Sequence, residues 1–205
     1  MKRQRSESIN VNGEPKKIVL FGEGSIGKST LFHKLNNLTD LDYQFPKTYK
    51  ATDNFDLGRL RLATNIGIVQ VDLWDTAGQE TRGGLIRDAY LKGADGVLLL
   101  YDLSNSDTVS NLSQWLDQIR KITPNIPVAV LGNKSDKYDD LQQRTMVKLR
   151  VKNLSKDIGH KSIDNFLISI KEDTHIDPTS GKEKPGCLVG LEFILTKLFN
   201  QTIKL

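Results

Sequence analysis

Gly22-Glu23-Gly24-Ser25-Ile26-Gly27-Lys28-Ser29 restricts this chain more than any other segment, because it fits G-x-x-x-x-G-K-[ST] between a strand-like and a helix-like run. Lys17-Ile18-Val19-Leu20-Phe21 before it is apolar, β-branched and stopped by Gly22, which predicts a buried strand. Lys28 to Asn36 after it reads as a helix. In that setting glycines let successive backbone N–H groups turn inward around a polyphosphate, and the helix N-terminus adds positive potential. Lys28 can neutralise terminal phosphates, and the Ser29 hydroxyl can bind Mg²⁺. The candidate phosphate cradle is therefore Glu23, Gly24, Ser25, Ile26, Gly27, Lys28, Ser29 and Thr30.

The remaining periodicity supplies the scaffold. Phe55 to Ala63 and Ile66 to Trp74 read as an antiparallel hairpin joined by Thr64-Asn65. Gly96 to Tyr101 and Val128 to Gly132 are apolar on both faces, as parallel strands are, and Phe166 to Ile170 reads as the last strand. Helices are predicted at Val109 to Ile122, where Leu112, Trp115, Leu116 and Ile119 share a face, at Arg144 to Leu154, and at Leu188 to Phe199. Alternation of strands and helices implies an α/β fold with a mostly parallel sheet covered on both faces. Residues 173–186 are polar and broken by Gly and Pro, and read as a loop insert. Trp74 and Trp115 read as core, Cys187 as a small apolar residue opening the last helix, and His33, His160 and His175 lack ligand spacing.

Length and composition limit the alternatives. A chain of 205 residues with 38% hydrophobic and 26% charged residues is globular, so one somewhat enlarged domain is expected over 15–201, behind a basic, disordered leader over 1–14. Five basic and two acidic residues among the first 17 carry three of the four net positive charges. The body is nearly neutral, which argues against direct nucleic-acid binding. No apolar stretch reaches the ~18 residues of a membrane span. A single cysteine excludes an internal disulfide and favours a reducing, cytoplasmic setting, with the nucleus left open by the basic leader.

Two further signals narrow the ligand. Asp75-Thr-Ala-Gly78-Gln79-Glu80 follows the Ile66 to Trp74 strand, where a carboxylate can hold Mg²⁺ through water and the Gly78 N–H can meet a terminal phosphate. Asn133-Lys134-Ser135-Asp136 follows another strand. There a carboxylate can accept both the ring N–H and the exocyclic amine of guanine, a donor pair that adenine lacks.

These three signatures, in this order, resemble the Ras superfamily of small GTPases from Lys16 to Leu198. The resemblance implies a P-loop NTPase fold, a Ras-like G domain whose six-stranded sheet has one antiparallel edge strand. It implies that Phe45 flanks guanine, and that Thr52, seven residues on, joins Ser29 and Asp75 at Mg²⁺ and senses the γ-phosphate. It implies that Gln79 orients the attacking water, and that Ser169-Ile170-Lys171 forms the loop over the base, with Ile where relatives carry Ala. Catalysis would rest on Gln79, Lys28 and Thr52, with GTP, GDP and Mg²⁺ as ligands. An exchange factor, an activating protein that brings an arginine, and effectors would be the partners of a monomer. Phe45 to Thr52 and Gly83 to Asp88 look Ran-like, whereas Tyr90 to Asp102 and Gln114-Trp115-Leu116 look Rab-like. The chain carries no terminal cysteine motif, so no covalent lipid anchor is expected. The first expectation is a switch that hydrolyses GTP; a GTP-binding scaffold with little hydrolysis is the alternative. A nucleoside kinase fits less well, since Asn133 to Asp136 suits guanine and no arginine-rich lid is present.

Overall fold

The computed structural model describes residues 13–38, 55–76, 84–137, 145–147, 149–153, 163–176 and 183–205. Among them, β1 (Lys16–Phe21), β2 (Phe55–Thr64), β3 (Gly67–Thr76), β4 (Gly96–Asp102), β5 (Val128–Asn133) and β6 (Ile163–Leu167) form one sheet in the order β2-β3-β1-β4-β5-β6. Within this sheet only the β2–β3 pair is antiparallel. The predicted α/β architecture with one antiparallel edge strand is what forms.

Side-chain alternation divides the core between the two faces of the sheet. On β1, Ile18 and Leu20 join Leu31, Phe32 and Leu35 of α1 (Lys28–Asn36) and Leu191, Ile194 and Leu195 of the closing helix (Val189–Phe199). Val19 and Phe21 face the other way, toward Leu91 of α2 (Gly84–Leu91) and Leu112, Trp115, Leu116 and Ile119 of α4 (Leu112–Ile122). All seven residues of β4 are buried, the pattern of a central parallel strand covered on both sides.

Five expectations need correction. The first hairpin turns at Asn65-Ile66 rather than Thr64-Asn65, because the Thr64 hydroxyl donates to the Gly67 carbonyl and accepts from the Ile66 N–H, keeping Thr64 in register opposite Gly67. The helix expected from Val109 starts earlier, as α3 (Ser106–Ser110), where the Asn105 side chain caps the Asp107 N–H. It is interrupted at Asn111 before α4 begins. The last sheet strand is Ile163–Leu167 and not Phe166 to Ile170: Ile168 and Ile170 are buried in the loop that follows. The stretch expected as a loop insert contains two strands, β7 (Thr174–Ile176) paired antiparallel with β8 (Glu183–Pro185). Trp74 is only half-buried, stacked on Phe55 at 5.2 Å between ring centroids, with the Lys17 ammonium 4.4 Å from its ring. Trp115 is core, as expected.

Past the closing helix, Asn200 takes a left-handed φ of 51° and turns the chain back. Ile203 is buried, and the Asn65 side chain donates to the Thr202 carbonyl and accepts from the Lys204 N–H.

Candidate functional site

Strands β1, β3, β5 and β6 run in the same direction, so the end of β3 and the described loops after β1, β5 and β6 meet at one edge of the sheet. This is where an open α/β sheet presents a crevice to ligand.

The loop after β1 is held by backbone geometry that few side chains tolerate. Gly22 and Gly27 adopt φ of 125° and 105°. A Cβ on Gly22 would lie 2.4 Å from the Leu100 carbonyl oxygen, and one on Gly27 would lie 2.5 Å from Asn133 Nδ2. Between them the chain wraps Lys28, which is 5% exposed and donates to the Gly22 carbonyl at 3.0 Å and to the Glu23 carbonyl. The loop is thus a cradle around an ammonium at the start of α1, an arrangement that can receive an anion. Outside, Asn111 Nδ2 donates to Glu23 Oε1 at 2.7 Å, so the break between α3 and α4 steadies the loop.

Asp75 is wholly buried near the end of β3, directly opposite Leu20 of β1. Next to it the Thr76 hydroxyl donates to the Leu20 carbonyl at 2.8 Å, fixing the strand end beside the cradle. Ser29 and Asp75 are hard oxygen donors that suit Mg²⁺ better than a soft metal, so the residues present fit that ion.

Asn133, 5% exposed, joins two loops. Its Nδ2 donates to the Ile26 carbonyl at 2.9 Å, and its Oδ1 accepts the Ile170 N–H at 3.1 Å. Lys134, at φ 64°, sends its ammonium to Asp102 Oδ2 at 2.6 Å and to the Ser25 carbonyl at 3.2 Å. Asp136 sits in a short 3-10 turn, Ser135–Lys137, where Oδ1 accepts from the Ser169 hydroxyl at 2.7 Å. Ser169 Oγ also accepts the Glu172 N–H, so one hydroxyl ties both loops.

Asp102 is a participant that the sequence reading passed over. Burial pushes its carboxyl up, but the hydrogen bonds from Lys134 and Ser104 outweigh this, and the pKa falls below the ordinary 3.8. A depressed folded-state value means that the pair stabilises the fold above the unfolded pKa and is lost as pH falls through the folded one. Urea midpoints measured across that acid window should fall less steeply for Asp102→Asn than for the wild type. Parallel slopes would show that the pair carries no proton linkage.

Of the residues expected at the site, Glu23, Gly24, Ser25, Ile26, Gly27, Lys28, Ser29 and Thr30, Asp75, Asn133, Lys134, Asp136, Ser169, Ile170 and Lys171 come to this edge, from the loop after β1 and the start of α1, the end of β3, the end of β5 with the turn after it, and the loop after β6. Phe45, Thr52, Gly78 and Gln79 lie outside the described residues. Asn111 and Thr76 were missed as well. Each acts on a partner distant in sequence, and only the β1–β3 neighbourhood carried any signal for Thr76.

The model of the Ras family matches residues 17–179, well over half of the chain. The chain belongs to the Ras family. Members of this family are small GTPases: they bind GTP and GDP, typically with Mg²⁺, and typically meet exchange factors, activating proteins and effectors. In this Ras-family chain the matched span ends between β7 and β8, before the closing helix.

Proposed function

We propose that this protein is a guanine-nucleotide switch that hydrolyses GTP to GDP and phosphate. The observation that carries the proposal is Asn133, whose one side chain bonds both the phosphate loop at Ile26 and the base-side loop at Ile170. A nucleotide lying along this edge would have its phosphates at Gly22 to Ser29 and its base near Asp136 and Ile170. The Asp136 carboxylate suits the two adjacent donors of guanine, and the backbone N–H of Lys171 would face its carbonyl, those of Ser169 and Ile170 being taken by Thr174 and Asn133.

Ser29, Asp75 and Thr52 would hold Mg²⁺, which when bound spreads charge on the β- and γ-oxygens. The protein's own contribution is positional and electrostatic. Lys28, already gathered into the loop, stabilises charge on the bridging and terminal phosphate oxygens. Gln79 orients a water whose oxygen bonds to the γ-phosphorus as the bond to the β-γ bridging oxygen breaks; the water's protons end on the released phosphate and solvent. With an arginine supplied only by a partner, turnover of this class stays on the order of 10⁻⁴ to 10⁻³ per second, the pace of a timer.

Single-turnover phosphate release from the purified, Mg²⁺-loaded protein tests this. Wild type should release phosphate, and Gln79→Leu should slow it by about tenfold to a hundredfold, the scale of losing water alignment. Tight GTP binding with no release from wild type would overturn hydrolysis and leave a scaffold acting through its nucleotide-dependent surfaces.

A further inference from the structure

The base-side loop is gripped from a second direction, by residues that the nucleotide reading does not use. Lys34, in the last turn of α1, donates from Nζ to the Ile170 carbonyl at 2.9 Å and lies 3.7 Å from Asp173 Oδ2. The Ile170 peptide neighbourhood is therefore pinned on both sides: Asn133 Oδ1 takes its N–H, and Lys34 holds its C=O. The Ile170 side chain is buried, and its Cδ1 would lie 3.5 Å from a Cβ built on Gly27, so it covers the phosphate loop as well.

Asp173 is itself fixed. It has a left-handed φ of 55°, its carbonyl accepts the Gly186 N–H at 3.1 Å, and Oδ1 accepts the Cys187 N–H at 3.0 Å. Ser169 and Thr174 exchange backbone hydrogen bonds across the intervening turn. One carboxylate thus links the foot of the β7–β8 pair, the approach to the closing helix and the ammonium that holds Ile170.

We propose that Lys34 and Asp173 act as positioning residues, a latch that fixes the Ile170 peptide and thereby sets how slowly guanine nucleotide leaves. The proposal rests on the guanine-nucleotide reading. Its physical content is preorganisation: the Lys171 N–H shares a peptide unit with the Ile170 carbonyl that Lys34 holds, and it can meet a base carbonyl without reordering only if that peptide is already held. Losing the latch lets the loop open more often. Such a change falls mainly on dissociation rather than association. The Lys34 side chain is 17% exposed, so its bonds are less screened than those of a surface pair.

The test uses the full chain loaded with N-methylanthraniloyl-GDP and Mg²⁺, chased with excess GDP in a stopped-flow instrument. Lys34→Ala should speed release about tenfold, the scale of one charge-assisted hydrogen bond acting in part, while the association rate stays within about twofold. Lys34→Arg, which keeps charge and donors, should restore release to within about threefold of wild type. Asp173→Asn keeps an oxygen for the Cys187 N–H and removes only the charge; about two- to fivefold faster release is expected. The double variant Lys34→Ala/Asp173→Asn should be no faster than Lys34→Ala, since the two act as one unit.

Unchanged release in Lys34→Ala, or in Asp173→Asn should Lys34→Ala not fold, would overturn the latch alone. Additive acceleration in the double variant, or a slowed association that accounts for the loss, would overturn it too, pointing to general loosening. Failure of the wild type to bind the fluorescent GDP would instead remove the nucleotide reading and the latch with it.

Discussion

Asp136→Asn should turn a guanine-selective protein into one that prefers xanthine. The wild-type carboxylate can accept from two donors on the guanine edge, and each hydrogen bond to a charged group contributes about 1.5–3 kcal/mol. An amide replaces one acceptor with a donor that faces the exocyclic amine, whereas xanthine offers a carbonyl there. GTP affinity should fall by about 100- to 1,000-fold, with XTP the tighter ligand, at tenfold per 1.4 kcal/mol. The Ser169 hydroxyl would still find the amide oxygen, so the loop itself should keep its shape. Competition of GTP and XTP against a fluorescent nucleotide gives the answer. Retention of the wild-type preference would remove Asp136 from base recognition.

Gly27→Ala is expected to damage fold and binding together. The added methyl would sit 2.5 Å from Asn133 Nδ2 at a backbone φ of 105°, where an L side chain is already strained. Asn133 cannot swing away without breaking its bonds to both Ile26 and Ile170. Strain at such a position is worth about 1–3 kcal/mol, and each buried hydrogen bond left unmade costs about as much again. A drop of roughly 3–5 kcal/mol in unfolding free energy is expected, at the upper end of single substitutions, together with loss of measurable GDP binding. Calorimetric titration and urea unfolding of the same preparation measure both. A variant that kept wild-type stability and affinity would mean that the Gly27–Asn133 approach is not a constraint.

Where local pattern and final structure agree, the same residues serve both. Lys17 to Phe21 is apolar at every position after the first because both faces of β1 are covered, and the glycine stop and Gly-Lys-Ser then coincide with the required turn and helix start. The strand near 163–170 was displaced for a physical reason. Ile163–Leu167 is an edge strand carrying Asp164 and Asn165, which masks it, while Ile168 and Ile170 are buried without pairing as strand residues and so imitate one. Strands β7 and β8 have three residues each, one of them Pro185, too short for any period to register. The contacts that steady the site were illegible for a different reason: Lys34 reaches Ile170 across 136 residues and Asn111 reaches Glu23 across 88. No spacing rule reads such pairs before the sheet has brought them together.

The Asn65 clamp has a practical side. It fastens Thr202 and Lys204 to the turn where β3 begins, whereas Asp75 lies eight residues along that strand, about 26 Å away at about 3.3 Å per residue. A fluorescent protein or affinity handle joined after Leu205 would therefore emerge at the far end of the sheet from the phosphate loop. Energy transfer between such a reporter and a labelled nucleotide would begin from a fixed corner of the molecule rather than from a loose tether.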